Sequence, residues 1–171
     1  MNRIVIALTI SSALALSACK KEPPVTTPPP PADVSTPTPT PAPAPVSNPP
    51  GSQAHFASAM SGADTIYFET DRYNIDNEDM AALRRQAEYM LQYNSSTATV
   101  EGHADERGTR DYNLALGERR ANSAKNYLVS LGVPENRLRT VSYGEERPIA
   151  TGSDESAWAR NRRSVTVMIS R

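Results

Sequence analysis

Thirteen of the fifteen prolines in this 171-residue chain fall between Pro23 and Pro50. Residues 20–54 run through PPPP, TPTPTP and PAPAP, a composition that cannot bury enough apolar surface to fold. Proline-rich chain is stiff and extended, at about 3.1 Å per residue, so this stretch reads as a disordered tether reaching on the order of 100 Å. Of the remainder, about 110–120 residues are left for a core, enough for one small domain. The formal net charge is −1, and no basic patch is dense enough for a nucleic-acid partner.

Ahead of the prolines, Arg3 precedes an apolar run from Ile4 to Leu16. The run is too short for a transmembrane helix, which needs about 20 residues, and it fits a secretory signal peptide. It ends in Leu16-Ser17-Ala18-Cys19, which resembles a bacterial lipobox, and Cys19 is the chain's only cysteine. A lone thiol in an oxidising compartment has no disulfide partner. The resemblance implies an S-diacylglyceryl group on Cys19, cleavage before it and N-acylation of the new terminus. Two or more acyl chains hold a protein stably on a membrane without spanning it. Lys20 leaves the outer membrane as the default destination by the same resemblance. The expected organisation is a signal peptide over 1–18, lipidated Cys19 and a proline-rich linker over 19–54, and a folded domain over 55–171.

Within that domain, Thr65–Phe68 is β-branched and aromatic and reads as a strand. Asn77 is a candidate N-cap, with Glu78 and Asp79 in the first turn of the helix. Met80, Leu83, Ala87, Met90 and Leu91 follow as its apolar stripe. Thr97–His103 alternates as a second strand, with Ala98, Val100 and Gly102 on one face. A second helix running to about Leu131 carries Leu114, Ala121, Ala124, Leu128 and Leu131, and Gly132 and Pro134 stop it. Leu138–Tyr143 and Ser164–Ile169 read as further strands, and Asp154–Arg160 as a short helix with Trp158 as a packing anchor. The order βαβαβ-β predicts an α/β (α+β) sandwich, with two main helices on one face of a small mixed sheet. Right-handed crossovers make the first strands parallel, so Phe68–Asp71 and His103–Asp105 end on one edge, where open sheets bind ligands.

The chemistry concentrates in Val100–Ala121, VEGHADERGTRDYNLALGERRA. Ala104–Arg110 reads as a loop after the strand, and Asp111 as the cap of the next helix. Asn113 and Arg120, at i and i+7, share one helical stripe. If the loop folds over that stripe, Asp105 and Arg120 face each other. They then either pair together or grip a ligand that bears both an ammonium and a carboxylate, each charge-assisted hydrogen bond contributing about 1.5–3 kcal/mol. Arg119 points about 100° away from Arg120 and faces solvent or pairs with Glu118 or a neighbouring acid. Arg162 and Arg163 flank the last strand and read as solvated edge charges.

Other chemistries find less support. Glu101, His103 and Asp105 could begin a metal site, but the only other histidine, His55, sits at the linker, and a metal needs three or four ligands. There is no Gly-x-Ser-x-Gly, and no cysteine inside the domain, so nucleophilic hydrolysis has no obvious agent. No cofactor is implied, and the chain reads as a binder and not an enzyme.

GHADERGTRDYNLALGERRAN, with YFETDRYNI (67–75), TVSYGEERP (140–148) and NRRSV (161–165) in order, resembles the peptidoglycan-binding pattern of the OmpA C-terminal-like family. The resemblance covers roughly the last two thirds of the chain. It implies that Asp105 takes the ammonium, and Arg120 the carboxylate, of the diaminopimelate in a peptidoglycan stem peptide. It places Asp71, Asn113 and Arg162 at the rim. Glu69-Thr70 stands where many members carry an Asp-Phe pair, and Asn74 where an aspartate is common. The resemblance also implies docking of the periplasmic protein TolB and membership of a Tol envelope complex that constricts the outer membrane at division. A wall hydrolase, or a stator or porin-tail module with the same domain, are the alternatives. Replacing Asp105 or Arg120 by alanine is expected to abolish wall binding and leave the fold intact.

Overall fold

The computed structural model describes residues 48–169. The expected signal peptide, Cys19 and the tether as far as Ser47 lie outside the described residues. Along the chain run α1 (Gln53–Met60), β1 (Thr65–Tyr67), α2 (Asn77–Gln92), β2 (Thr97–His103), α3 (Arg110–Ser130), a single 3-10 turn (Glu135–Arg137), β3 (Leu138–Gly144), α4 (Glu155–Asn161) and β4 (Arg163–Ile169). Among the described residues no helix is long and apolar enough to cross a membrane.

The strands form one mixed sheet in the order β1-β4-β2-β3. β2 and β3 are parallel, and β4 is antiparallel to both β1 and β2. The βαβαβ-β order and the mixed α+β architecture are as the hydrophobic periodicity predicts. β1 and β2 do point the same way, but they are not neighbours. β4 returns between them, because it alone can pair antiparallel with each. The ends of β1 and β2 therefore meet at one edge across the start of β4, where Phe68 N–H donates to Arg162 O at 2.9 Å.

α2 and α3 bury their stripes against the sheet. Leu83, Ala87 and Met90 from α2 meet Ala121, Ala124 and Leu128 from α3, over Ala98, Val100 and Met168. Met80 is only half-buried and Leu91 is exposed; Gln86 and Tyr89 take the inward positions instead. Gln86 can do so because its amide is satisfied, donating to Ala63 O at 2.6 Å and accepting from Thr166 Oγ1 at 2.6 Å. Gly102 and Gly117 lie where α3 touches β2. A Cβ on Gly102 would collide with the Gly117 carbonyl, so the absence of side chains sets the spacing of helix and sheet.

Three further details differ from expectation. α2 is capped by Asp76, not Asn77, and α3 by Thr109, not Asp111; each cap residue is extended, and its side chain accepts an N–H three residues on. α1 has no counterpart in the sequence reading. Its Phe56 and Met60 belong to the core, and His55, expected at the linker, places Nδ1 2.7 Å from Tyr89 Oη. Trp158 is only half-buried, and Ala157 and Asn161 are the residues α4 buries.

Candidate functional site

At the edge where β1 and β2 end, a cavity of about 310 Å³ opens between the β1–α2 loop, the β2–α3 loop and the start of α3. Asp71, Asp105, Asn113 and Arg120 all line it, together with Arg107 and Tyr112. Arg162 closes the site from behind through its bond to Asp105.

Asp105 and Arg120 share this cavity without pairing. Arg120 is fully buried. Its Nε donates to Arg72 O (2.9 Å), Nη1 to His103 O (2.8 Å) and Nη2 to Glu69 O (3.1 Å). Three carbonyls, two from the β1–α2 loop and one from the end of β2, thus converge on one guanidinium, and among the described residues no carboxylate lies within ion-pair distance of it. Burial first, then the nearby Arg162 charge, pull its pKa down to about 10, so it stays charged at neutral pH.

Asp105 is differently placed. Its Oδ1 accepts from Arg107 N–H (3.1 Å) and Nε (3.0 Å), and its Oδ2 from Arg107 Nη2 (2.7 Å) and Arg162 Nη1 (3.3 Å). Burial alone would raise this carboxyl, but the Arg107 hydrogen bonds outweigh it and hold the pKa below the ordinary value. Arg107 also lies 4.2 Å from the centre of the Trp158 ring, with Nη2 3.2 Å from Thr70 Oγ1. The sequence reading missed Arg107. Its position two residues after Asp105, in a loop turned by Gly108, was the available signal, since an Asx-type loop bond reaches that neighbour.

The other expected rim residues divide. Asn113 is 1% exposed, with Nδ2 3.1 Å from both Asp105 O and Arg107 O and in contact with Glu145 Oε2. It ties the loop to α3 and so positions Asp105. Arg162 and Arg163 are not solvated edge charges; both are at least 95% buried. Arg162 donates to Phe68 O, Asp105 and Glu155, and Arg163 to the carbonyls of Asn161 and Arg147. Asp71 is the exposed member, in a left-handed turn (φ 57°) with Oδ1 accepting from Tyr112 Oη at 3.2 Å. A non-glycine residue held there is uncommon and marks a loop whose shape is over-determined by its surroundings.

The arrangement is a small polar cavity with one buried, unpaired cation on its wall and one compensated carboxylate across from it. It suits a ligand that carries both charges close together. Comparisons with known proteins identify the family and the fold. Residues 67–162 match the OmpA family. The peptidoglycan-associated lipoprotein of Rhizobium meliloti is 45% identical over 167 residues, 98% of this chain and 88% of that protein. The crystal structure of the peptidoglycan-associated lipoprotein from Burkholderia pseudomallei superposes with a TM-score of 0.63 at 36% identity, over 66% of this chain and 96% of that one. The C-terminal domain of Helicobacter pylori MotB shares the fold alone, with a TM-score of 0.58 at 24% identity over 63% of this chain and 85% of the other.

Proposed function

The chain belongs to the OmpA family, among the peptidoglycan-associated lipoproteins, and from that membership we propose that it is a lipid-anchored outer-membrane protein that grips peptidoglycan non-covalently from the periplasmic side. The site is the Asp105–Arg120 cavity, and the ligand group is the zwitterionic end of diaminopimelate in the stem peptide. The observation that carries this reading is Arg120, a desolvated guanidinium bonded, among the described residues, only to carbonyls. A carboxylate entering the cavity supplies the missing counter-charge, and two of the five guanidinium N–H groups remain for it. The ligand's ammonium goes to Asp105, where it joins or replaces the Arg107 guanidinium. Asn113 and Arg162 hold Asp105 in place, and Asp71 and Tyr112 form the exposed rim.

Binding, not bond cleavage, is the activity. Many copies on one membrane facing one polymer gain avidity from effective concentration, so each site can be weak. The same family membership supports a place in the Tol–Pal system, with TolB as a partner and envelope integrity and outer-membrane invagination at division as the outcome.

Co-sedimentation of the purified chain with intact sacculi tests the site. Asp105→Asn keeps an acceptor oxygen for Arg107 but removes the charge, and wall affinity should fall by about tenfold or more, the size of one lost charge-assisted hydrogen bond. Free diaminopimelate should release the bound wild-type chain. Wild-type sedimentation of the variant would place the site elsewhere, and release of soluble wall fragments would make the chain an enzyme.

A further inference from the structure

A second cavity, of about 570 Å³, runs between β1 and α2. β1 is an edge strand. Its ladder bonds to β4 fall on the alternate positions, Thr166 N–H to Asp64 O and Phe68 N–H to Arg162 O, so the backbone of Thr65 and Tyr67 faces outward, with Thr65 N–H donating to Gly62 O at 3.5 Å and the two carbonyls left to the groove. Across from it the α2 wall is small, at Ala81 and Ala82, and Glu69, Asp76 and Glu78 give an acidic rim.

Asp79 lines this groove and is 8% exposed. Its Oδ1 accepts the outward Tyr67 N–H at 3.1 Å, the place a neighbouring strand's carbonyl would occupy. Among the described residues its Oδ2 has no hydrogen-bond partner. Burial, then the like charges of Asp76 and Glu78, lift the carboxyl to about 6 against the Tyr67 N–H bond. At neutral pH it is therefore a desolvated anion. The two arginines of the groove are committed elsewhere: Arg85 donates to the carbonyls of Ala59 and Met60, and Arg162 to Phe68 O, Asp105 and Glu155.

An orphaned acceptor in an acid-rimmed groove calls for a cation that can donate a hydrogen bond. Among the described residues the carboxylates do not converge into a metal-ligand cluster, so the fitting cation is organic. An edge strand facing a helix across a groove is also the geometry in which an extended peptide adds to a sheet. We infer that the β1–α2 groove docks an extended, basic polypeptide segment of a partner protein, its backbone along β1 and a lysine or arginine side chain donating to Asp79 Oδ2.

The test is an amide NMR titration of the isotope-labelled full chain with acetyl-Val-Lys-Val-amide at neutral pH. Shifts should concentrate at Thr65–Glu69 and the first two turns of α2. Acetyl-Val-Glu-Val-amide, and the lysine peptide on Asp79→Asn, should each bind about tenfold more weakly or worse, one charge-assisted hydrogen bond being lost each time; n-butylamine, which keeps the ammonium but has no backbone to lay along β1, should also bind about tenfold more weakly or worse. Ala81→Trp, at an exposed position on the groove wall, should block the peptide with Asp79 intact, so the inference stands or falls even if Asp79→Asn does not fold. Equal binding by the acidic peptide or by butylamine, full binding by Ala81→Trp, shifts centred elsewhere, or no shift up to the peptide's solubility limit would each overturn it. Sedimentation with sacculi, read in parallel, reports the Asp105–Arg120 cavity separately.

Discussion

Arg120 holds the carbonyls of Glu69, Arg72 and His103 while fully buried. Truncating it leaves three acceptors without donors and a cavity behind, so the sequence-based expectation that Arg120→Ala spares the fold is revised. The variant should lose about 3–5 kcal/mol of stability, measurable by urea denaturation, and its failure to bind the wall would not by itself locate the ligand. His103 carries a different consequence. It is 1% exposed, and among the described residues neither ring nitrogen has a hydrogen-bond partner, the Glu101 carboxylate lying 3.6 Å from Nε2. Burial, then Arg163 and Arg147, hold its pKa down to about 4 against an ordinary 6.5. The unfolded chain thus takes the proton first. The histidine's contribution is complete above pH 6.5 and is lost as the pH falls toward 4, amounting to about 3 kcal/mol. Asp79 works in the opposite sense: raised from 3.8 to about 6, it favours the fold below pH 3.8 and loses that contribution as the pH rises through 6. His103→Phe removes one arm only. Its thermal midpoint should drop less than the wild type's on acidification from pH 6.5 to 4, and an equal drop would mean that His103 does not titrate as its burial dictates.

Among the elements, α3 decides the site, because it carries Asn113 and Arg120 and lies flat on β2 and β3. That contact depends on Gly102 and Gly117. A Cβ on Gly117 would lie 2.9 Å from Gly102 O and meet Ser142 Oγ as well. Gly102→Ala should therefore push the helix off the sheet at a cost of about 3 kcal/mol or more. The shift should also weaken wall binding, since it moves Arg120 relative to Asp105; guanidinium denaturation and sedimentation check the two effects. Element identity was largely legible from periodicity, because β2 and α3 alternate or repeat against a single core. The caps were displaced by one or two residues because several capping residues sit side by side, and only the backbone angles choose: Thr109 is extended, at φ −97° and ψ 151°. α1 was not legible, since eight residues after a proline-rich run are too short to establish a helical stripe.

At the scale of the whole molecule, a tether on the order of 100 Å and a lipid foot at Cys19 would let the wall-binding domain search away from the membrane while staying at high local concentration. Each weak site then counts many times over. Cys19→Ala should shift the chain from the membrane fraction to the soluble periplasmic fraction and reduce the amount that co-purifies with sacculi. Undiminished membrane retention would dismiss the lipid anchor. The domain is tied together across sequence distance by arginines. Buried Arg162 links Phe68, Asp105 and Glu155, and half-buried Arg137 bonds the carbonyls of Tyr93 and Ser96.

Composition and periodicity alone determined that one small α+β domain follows a proline-rich run, because proline content and apolar spacing act locally and need no partner to be read. They also placed Asp105, Asn113 and Arg120 within one short stretch. Which charges pair was decided only in three dimensions. Arg120 found carbonyls instead of Asp105, Asp105 found Arg107 and Arg162, and β4 slipped between β1 and β2. Each outcome depends on which distant segments come to share a desolvated space. The energy of a buried charge is set by those neighbours and not by its place along the chain.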